Sequence, residues 1–427
     1  MTAPGLWFSG EVLIQGNRIA AVGPTVPHPP QAQRIDASGM LVLPGFVQAH
    51  VHVIQSLARH RAEGLPLLPW LTQRIWPYEA ALTAEEAAAS ARLGIAELLS
   101  GGTTAALDMG SVRHHDQVFQ AAAELGIRFV SGKCHMDTGE LLPEGLKEDL
   151  QSSLSEAERL ADRWHGVERG RLRYAVAPRF ALSCSESLLR GCVALARSRG
   201  LVLHTHASEN QEETELVRTL TGKGNVTYLA DEGLAGSDTV LAHCVHLDKQ
   251  EFSLLATSGT GVAHCPGANL KLASGIADLP RLLTSGVKVG LGADGPPCNN
   301  RLSIFHEMAL CGTLHNLRHG AGSVSSWQVL ELATWRGAEI IGFAGQLGKL
   351  APGYLADLVV LAPNWSFEPL ADPASMVVFG AGPECVRFVL VDGTVVVADG
   401  RLTTAEMEDI RREARKAAQA LEARLGW

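Results

Sequence analysis

Short apolar runs alternate with helical patterns through the middle of the chain. Eight runs are rich in Val, Leu, Ile and Ala, and each has the length of a strand that is buried on both faces. The runs are 41–52, 103–109, 128–136, 171–180, 201–208, 239–246, 261–269 and 287–294. Segments between them, such as 85–100 and 186–200, space their apolar residues like one face of a helix. Eight strands alternating with helices predict the α/β class and a parallel (β/α)8 barrel of the TIM type.

The two ends of the chain resemble each other and differ from the middle. Residues 6–23 alternate apolar and polar side chains between glycines, and residues 356–363 and 386–402 are again rich in strand-forming residues. Asp392-Gly393 marks a tight hairpin turn. The residues after this second region form an amphipathic, highly charged helix pattern, which we expect to pack on the barrel or on a partner subunit. The predicted units are a small composite β-sandwich over 1–43 and 347–403, a barrel over 44–346, and a C-terminal helix over 404–427.

Composition and charge narrow the class of protein. The 427 residues are 46% hydrophobic and carry a formal net charge of −9, so the chain can bury a large core and has no basic surface for nucleic acid. No apolar run reaches the roughly 18 residues that a membrane span needs. The eight cysteines form no C-x-x-C pair, and the N-terminus has no secretory signal pattern. We therefore expect a cytoplasmic protein with reduced thiols that binds a small molecule, neither nucleic acid nor membrane, as a homo-oligomer.

Histidines cluster where the predicted strands end, which is the catalytic face of such a barrel. His50 and His52 are two residues apart, so on a strand both imidazoles lie on one face and can hold one cation. His206 and Asp294 stand at the ends of the fifth and eighth runs. Three histidines and one aspartate suit a single divalent metal, for which we expect Zn²⁺, with Fe²⁺ and Mn²⁺ as alternatives.

Three residues near this site are candidates for proton transfer. Glu209 follows His206 by three residues, which places a carboxylate beside water activated by the metal. Asp294 has two possible roles, as a ligand and as a base that takes a proton from this water. His243 at the end of the sixth run could orient the water or stabilise developing charge.

The remaining histidines receive other predictions. His204 should face away from the metal or sit one layer deeper, in a structural role. We expect solvent-facing positions on helices or loops for His114, His115, His165, His315 and His319.

Five ordered motifs resemble the amidohydrolase superfamily: PGFVQAHVH, LHTHASEN, AHCVHLD, AHCPGANLKLASGIADLP and GADGPPCNN. The resemblance covers nearly the whole chain, and within the superfamily it points to the branch of metal-dependent deaminases and chlorohydrolases. It implies a (β/α)8 barrel with a small composite β-sandwich and one catalytic divalent metal. Matched motif by motif, the ligands would be His50, His52, His206 and Asp294. Glu209 would shuttle protons, and His243 would assist the attacking water.

The substrate residues follow from the same resemblance. Gln55, Arg179 and Phe180 resemble the guanine deaminases, in which such residues contact the purine. The segments GADGPPCNN and IWPYE resemble the deaminases of 5′-deoxyadenosine, methylthioadenosine and S-adenosylhomocysteine, in which the residue matching Glu79 binds ribose hydroxyls. His264 in AHCP favours deamination over chlorohydrolysis. The expected substrate-binding residues are Gln55, Trp76, Glu79, Lys133, Arg179, Phe180 and His264.

The sequence leads to one preferred function with alternatives. We expect a metal-dependent hydrolytic deaminase of an adenine nucleoside such as 5′-deoxyadenosine, which releases ammonia when metal-bound hydroxide attacks C6. One alternative keeps the site and changes the substrate to guanine, another aminopurine, a pterin or an s-triazine. A non-catalytic metal-binding scaffold is the least favoured alternative, because the complete set of candidate residues is present.

Overall fold

The computed structural model describes residues 5–427, and the strands fall where the apolar runs predicted them. Residues 1–4, which belong to the predicted sandwich segment 1–43, lie outside the described residues. In chain order the strands are β1 Glu11–Gln15, β2 Arg18–Gly23, β3 Leu41–Pro44, β4 Phe46–Val51, β5 Thr103–Met109, β6 Arg128–Gly132, β7 Cys134–His135, β8 Leu172–Pro178, β9 Val202–Ala207, β10 Thr239–His243, β11 Gly261–His264, β12 Lys288–Leu291, β13 Leu358–Leu361, β14 Val386–Val391, β15 Thr394–Ala398 and β16 Arg401–Leu402.

Eight of these strands form a parallel barrel. Their order is β12-β11-β10-β9-β8-β6-β5-β4, and the short β7 pairs with β8. A parallel bridge between Val51 and Asp294 links the two ends of this order. The Asp294 amide donates to the His50 carbonyl at 3.0 Å, which joins the region after β12 to β4. Every residue of β4 and β5 is buried, as expected for strands covered on both faces. The predicted fold class is confirmed.

Helices surround the barrel and lie in its connections. They are α1 Leu67–Trp70, α2 Trp76–Ala81, α3 Ala84–Ser100, α4 His115–Leu125, α5 Leu150–Trp164, α6 Val167–Gly170, α7 Glu186–Arg199, α8 Gln211–Thr221, α9 Asn225–Asp231, α10 Lys249–Ser258, α11 Pro266–Lys271, α12 Leu279–Thr284, α13 Pro296–Asn299, α14 Ile304–Leu314, α15 Asn316–His319, α16 Ser326–Leu332, α17 Trp335–Ala338, α18 Pro373–Ser375 and α19 Met407–Leu425. Short 3₁₀ segments are Val53–Ala58, Trp365–Phe367 and Pro383–Cys385, and π-helical turns are Leu71–Ile75, Glu339–Phe343 and Met376–Gly380.

Strands from both ends of the chain assemble beside the barrel. One antiparallel sheet has the order β16-β15-β14-β13-β3, and β1 pairs with β2 in a separate two-stranded sheet. The turn between β14 and β15 contains Asp392 and Gly393 with φ of 53° and 79°, the left-handed pair that a tight hairpin favours, as predicted.

A fully buried ion cluster connects this sheet to the barrel. Arg128 at the start of β6 donates to both carboxylate oxygens of Asp357 at 2.9 Å and to Asp392 at 3.0 Å. All three side chains are almost completely buried. A bidentate guanidinium therefore compensates two buried carboxylates at the contact between the two parts.

The C-terminal helix α19 packs on the barrel side of the molecule. Its buried residues are Ile410, Ala414 and Leu421. Arg424 forms an ion pair with Glu86 of α3, and the Trp427 ring stacks on Tyr78 with ring centroids 6.3 Å apart. Among residues 5–427, no helix combines the length and apolarity needed to cross a membrane.

Candidate active site

The ends of two barrel strands and the turn after a third bring together a cluster of possible metal ligands. His50 and His52 project from one face of the end of β4, His206 stands on β9, and Asp294 follows β12. One donor atom from each of these four residues lies within 4.8 Å of the others. Asp294 Oδ1 is 3.3 Å from His50 Nε2 and 3.4 Å from His52 Nε2. The His52 and His206 Nε2 atoms are 3.2 Å apart.

The other ring nitrogen of each histidine is held by a neighbouring group. His52 Nδ1 is 2.7 Å from the Met109 carbonyl, and His206 Nδ1 is 2.7 Å from the Arg179 carbonyl. His50 Nδ1 is 2.9 Å from His204 Nε2. These contacts fix each ring so that Nε2 faces the common centre, which is the arrangement that metal-ligating histidines adopt.

The donor set fits a divalent cation. His50 Nε2 is buried and has no hydrogen-bond partner among residues 5–427, although it points at the Asp294 carboxylate. Burial lowers the pKa of His50 and His52 far below 6.5 and that of His206 to about 3, so the three imidazoles are neutral and present lone pairs. Burial alone would raise the pKa of Asp294, but His243, His52 and His206 lower it overall, which keeps the carboxylate ionised.

His204 lies one layer below the cluster and contacts a candidate ligand. Alternate residues of a strand share a face, so His204 lies on the same face as His206, and its ring centroid is 4.9 Å from that of His50. The expectation that His204 faces away from the metal was wrong. The alternative expectation, a position one layer deeper in the barrel, describes where it lies. Its contact with His50 Nδ1 makes it a positioning residue for the candidate ligand.

Replacing His204 with Phe is expected to weaken metal binding by about 10–100-fold, because it removes the group that orients His50 and raises its basicity. Competition with a chelator of known affinity measures this change. His135→Phe is the matched control, since His135 is also buried at a strand end but bonds to Ser153 at 2.8 Å. Equal metal affinity in the His204→Phe variant and the unaltered chain would contradict the assignment.

Glu209 and His243 adjoin the same cluster. His243 Nε2 lies 3.5 Å from Glu209 Oε2 and 3.9 Å from Asp294 Oδ2. Its Nδ1 is 2.9 Å from the Asn269 side-chain oxygen, and the Ser274 hydroxyl donates to Glu209 Oε1 at 3.3 Å. Burial first, then the charges of Asp294 and Glu213, raise the pKa of Glu209 well above 4.5. A raised pKa favours the protonated carboxyl, which is the form that can donate a proton to a substrate.

The backbone around these residues is unusual for side chains with a Cβ. Ser208, His243, Cys244 and Asp294 all have positive φ, between 48° and 76°. Non-glycine residues adopt this conformation at a cost that the surrounding structure must balance, and such residues concentrate at functional sites.

A pocket opens above the cluster. Its empty volume, which includes space open to solvent, is about 410 Å³. Its lining residues are His52, Gln55, Leu67, Trp70, Leu71, Arg179, Phe180, His206, Glu209, Glu213, Leu272 and Asp294. Sequence reasoning did not select Leu67, Leu71, Glu213 and Leu272. The apolar loop LPLLPWL between β4 and α2 was the available signal for the first two.

Three of the predicted substrate residues line this pocket, namely Gln55, Arg179 and Phe180. Trp76 lies behind Phe180, with ring centroids 6.5 Å apart. Glu79 is buried behind the wall, where it accepts from Gln55 Nε2 at 2.8 Å and from both terminal nitrogens of Arg179 at 2.7 and 3.2 Å. The Arg179 guanidinium is therefore paired with the Glu79 carboxylate in the absence of any substrate.

The other two predicted substrate residues are not among the lining residues. Lys133 is fully buried and donates to Glu148 and Ser153. His264 is fully buried, and its ring centroid is 5.4 Å from that of His315.

Two of the histidines predicted to face solvent are in fact buried. His115 and His315 are only 2% and 1% exposed. His115 Nε2 is 3.0 Å from the Ser131 hydroxyl, which also donates to Asp108. His115 begins α4 and His315 directly follows α14. At a helix end, the sequence does not show whether a histidine side chain points to the solvent or packs against the barrel.

Comparison with known proteins places this architecture among established enzymes. A 5-methylthioadenosine/S-adenosylhomocysteine deaminase of Nitratidesulfovibrio vulgaris is 38% identical over 418 residues, covering 94% of this chain and 92% of the relative. A 5′-deoxyadenosine deaminase of Methanothermobacter thermautotrophicus is 36% identical over 414 residues, covering 96% and 95%.

Solved structures agree in fold. An adenosine deaminase from Xanthomonas campestris with bound zinc superposes with a TM-score of 0.89 at 26% identity, covering 98% of this chain and 95% of the other. Guanine deaminase of E. coli superposes with a TM-score of 0.84 at 29% identity, covering 91% and 93%. The sequence profile of the amidohydrolase family matches residues 41–396. The chain belongs to the amidohydrolase family.

Proposed function

We propose that the protein is a hydrolytic deaminase of an adenine nucleoside that lacks the 5′ hydroxyl, such as 5′-deoxyadenosine. The observation that carries this proposal is the position of Glu209, which lies in the pocket wall beside His243 and the candidate metal ligands. Relatives named as 5′-deoxyadenosine and 5-methylthioadenosine/S-adenosylhomocysteine deaminases match nearly the whole chain and support this substrate class.

His50, His52, His206 and Asp294 would hold one divalent metal ion, which we propose to be Zn²⁺. Three neutral imidazoles and one carboxylate suit this ion, and zinc is bound in solved structures with the same fold, including the Xanthomonas campestris adenosine deaminase. When bound, the ion supplies Lewis acidity, which makes hydroxide available at neutral pH.

The residues of the chain handle the protons of the reaction. The Glu209 carboxyl is positioned to donate a proton to a purine ring nitrogen as water oxygen adds to C6. Asp294 and His243 flank the attacking water, and His243 is held in orientation by Asn269. Asp294 takes one proton from the attacking water and passes it to the amino nitrogen, the C6–N bond breaks, and ammonia leaves. The proton of the new C6 hydroxyl returns to Glu209, which restores its carboxyl. A 6-oxopurine nucleoside remains.

The pocket wall favours a nucleoside with an apolar 5′ end. Leu67, Trp70, Leu71 and Leu272 form its apolar part, and a 5′-deoxy or thioether group gives up little hydration on contact with such side chains. Glu79 is the proposed partner of the ribose hydroxyls, and it would share its oxygens with Gln55 and Arg179.

Guanine deamination is the second candidate. Gln55, Arg179 and Phe180 stand in the pocket wall, as they would for a purine base, and the E. coli guanine deaminase structure is similar. We favour the nucleoside because relatives named as 5-methylthioadenosine/S-adenosylhomocysteine and 5′-deoxyadenosine deaminases are 38% and 36% identical to this chain, whereas the guanine deaminase structure is 29% identical.

Ammonia release by the metal-loaded protein tests the proposal. The panel contains 5′-deoxyadenosine, methylthioadenosine, S-adenosylhomocysteine, adenosine, guanine and a chlorotriazine, with chloride release measured for the last. The expected result is the highest kcat/KM for 5′-deoxyadenosine or one of its thioether relatives. A higher kcat/KM for guanine would show that the protein is a guanine deaminase instead. Chloride release without ammonia release from any nucleoside would overturn deamination.

Three expectations from the sequence stay predictions. They are the domain boundaries at residues 43, 346 and 403, the cytoplasmic location, and a homo-oligomeric state. Size measurement in solution tests the oligomer directly.

A further inference from the structure

A second group of metal-ligating side chains lies outside the pocket. His264 ends β11, Cys311 lies in the last turn of α14, and His315 follows that helix. Cys311 and His315 are four residues apart, so they stand one above the other on the same helical face. None of the three residues lines the active-site pocket.

All three side chains are buried and their polar atoms lack ordinary partners. His264 and Cys311 are 0% exposed and His315 is 1% exposed. Within residues 5–427, neither ring nitrogen of His264 nor of His315 has a hydrogen-bond partner. Four buried, unpaired imidazole nitrogens are costly, because buried polar groups are nearly always satisfied by a partner.

The geometry of the group is that of ligands around a shared centre. One donor atom from each residue lies within 4.8 Å of the other two, yet no hydrogen bond joins them within the described chain. Ligand atoms bound to tetrahedral Zn²⁺ at about 2.0–2.3 Å are about 3.3–3.8 Å apart. The three atoms therefore need only small rotations of their side chains to reach one ion.

We propose that His264, Cys311 and His315 form a second, structural zinc site. A thiolate and two imidazoles form a nitrogen–sulfur set that suits Zn²⁺ and discriminates against Mg²⁺ and Ca²⁺. The site differs in chemistry from the His50, His52, His206 and Asp294 cluster, which contains no sulfur.

The local charge balance favours this occupant. Zn²⁺ with one thiolate and two neutral imidazoles has a net charge of about +1. Glu307 lies one helical turn before Cys311 on α14, is fully buried, and accepts from the Gly267 amide and the Asn299 side chain. Its carboxylate would offset part of the excess charge.

A metal ion at this site would cross-link the end of β11 to the C-terminal end of α14. The helix α11 starts two residues after His264 and carries Asn269, which contacts His243 Nδ1 at 2.9 Å. A metal ion between β11 and α14 would therefore stabilise the segment that positions His243. Its loss is expected to lower the Tm and to leave the pocket ligands in place.

Metal stoichiometry and a cobalt spectrum test the proposal. After exposure to excess Zn²⁺ and removal of free metal, we expect about two ions per unaltered chain and about one per chain in the Cys311→Ser variant. Co²⁺ loading of the unaltered chain should produce a thiolate-to-cobalt charge-transfer band in the near ultraviolet, because a sulfur ligand is required for it. Cys311→Ser should abolish this band.

Two control variants separate the sites. His206→Asn should lose about one ion per chain and keep the charge-transfer band. Cys298→Ser removes a buried thiol four residues after Asp294 and should keep the band. A single ion in the unaltered chain together with no charge-transfer band would overturn the proposal, and this measurement does not depend on the folding of any variant. A band that survives Cys311→Ser would also overturn it.

Discussion

Replacing Glu209 with Gln is expected to lower kcat for ammonia release by about 10²–10⁴-fold without changing the metal content. Glutamine keeps the size of the side chain but cannot pass a proton from its oxygen to the purine. The carboxyl is buried, and its pKa is raised well above 4.5 by burial and by the charges of Asp294 and Glu213. Steady-state ammonia assays and metal analysis of the same preparations measure both quantities.

The matched control for this variant is Glu212→Gln. Glu212 lies three residues after Glu209, at the exposed start of α8, and contributes only its backbone amide to the cap formed by Asn210. It should keep full activity. Full activity in Glu209→Gln would remove this residue from the reaction, and loss of metal in that variant would indicate a role in holding the site instead.

Replacing Arg128 with Leu is expected to reduce the free energy of unfolding by about 3–5 kcal/mol. The guanidinium donates to Asp357 and Asp392 where the β6 strand of the barrel meets the terminal sheet. Leucine would leave two carboxylates buried without their principal compensating charge. Denaturant unfolding followed by circular dichroism measures the change.

Arg169→Leu is the control, because Arg169 pairs with the same Asp392 at 2.9 Å but its side chain is 68% exposed. Solvent screens that pair, so its loss should cost about 1 kcal/mol or less. Similar stabilities of the Arg128→Leu and Arg169→Leu variants would show that the buried cluster contributes no more than a surface ion pair.

Most of the barrel could be predicted from local patterns. Strands buried on both faces appear as short apolar runs, and the parallel topology makes their carboxyl ends meet at one face. His50, His52, His206 and Asp294 were therefore identifiable as a group, and the structure places their donor atoms together. Glu209 and His243 were found by the same reasoning from their positions at strand ends.

Residues that act through long-range pairing could not be predicted in this way. Glu79 and Arg179 both appeared as possible substrate contacts, yet they pair with each other across 100 positions of sequence. His315 appeared to be a polar helix-end residue, although tertiary packing buries it against His264. No local pattern distinguishes a buried histidine from an exposed one at the end of a helix.

The sequence by itself determined the eight strands, the hairpin at Asp392-Gly393 and the identity of the side chains at the strand ends, because these follow from residue periodicity and turn chemistry over short distances. The tertiary structure alone decided which neighbours hold those side chains. The contact of His50 with His204, the pairing of Arg179 with Glu79 and the meeting of His264 with Cys311 and His315 exist only after the barrel closes, since closure brings distant segments into contact and removes them from water.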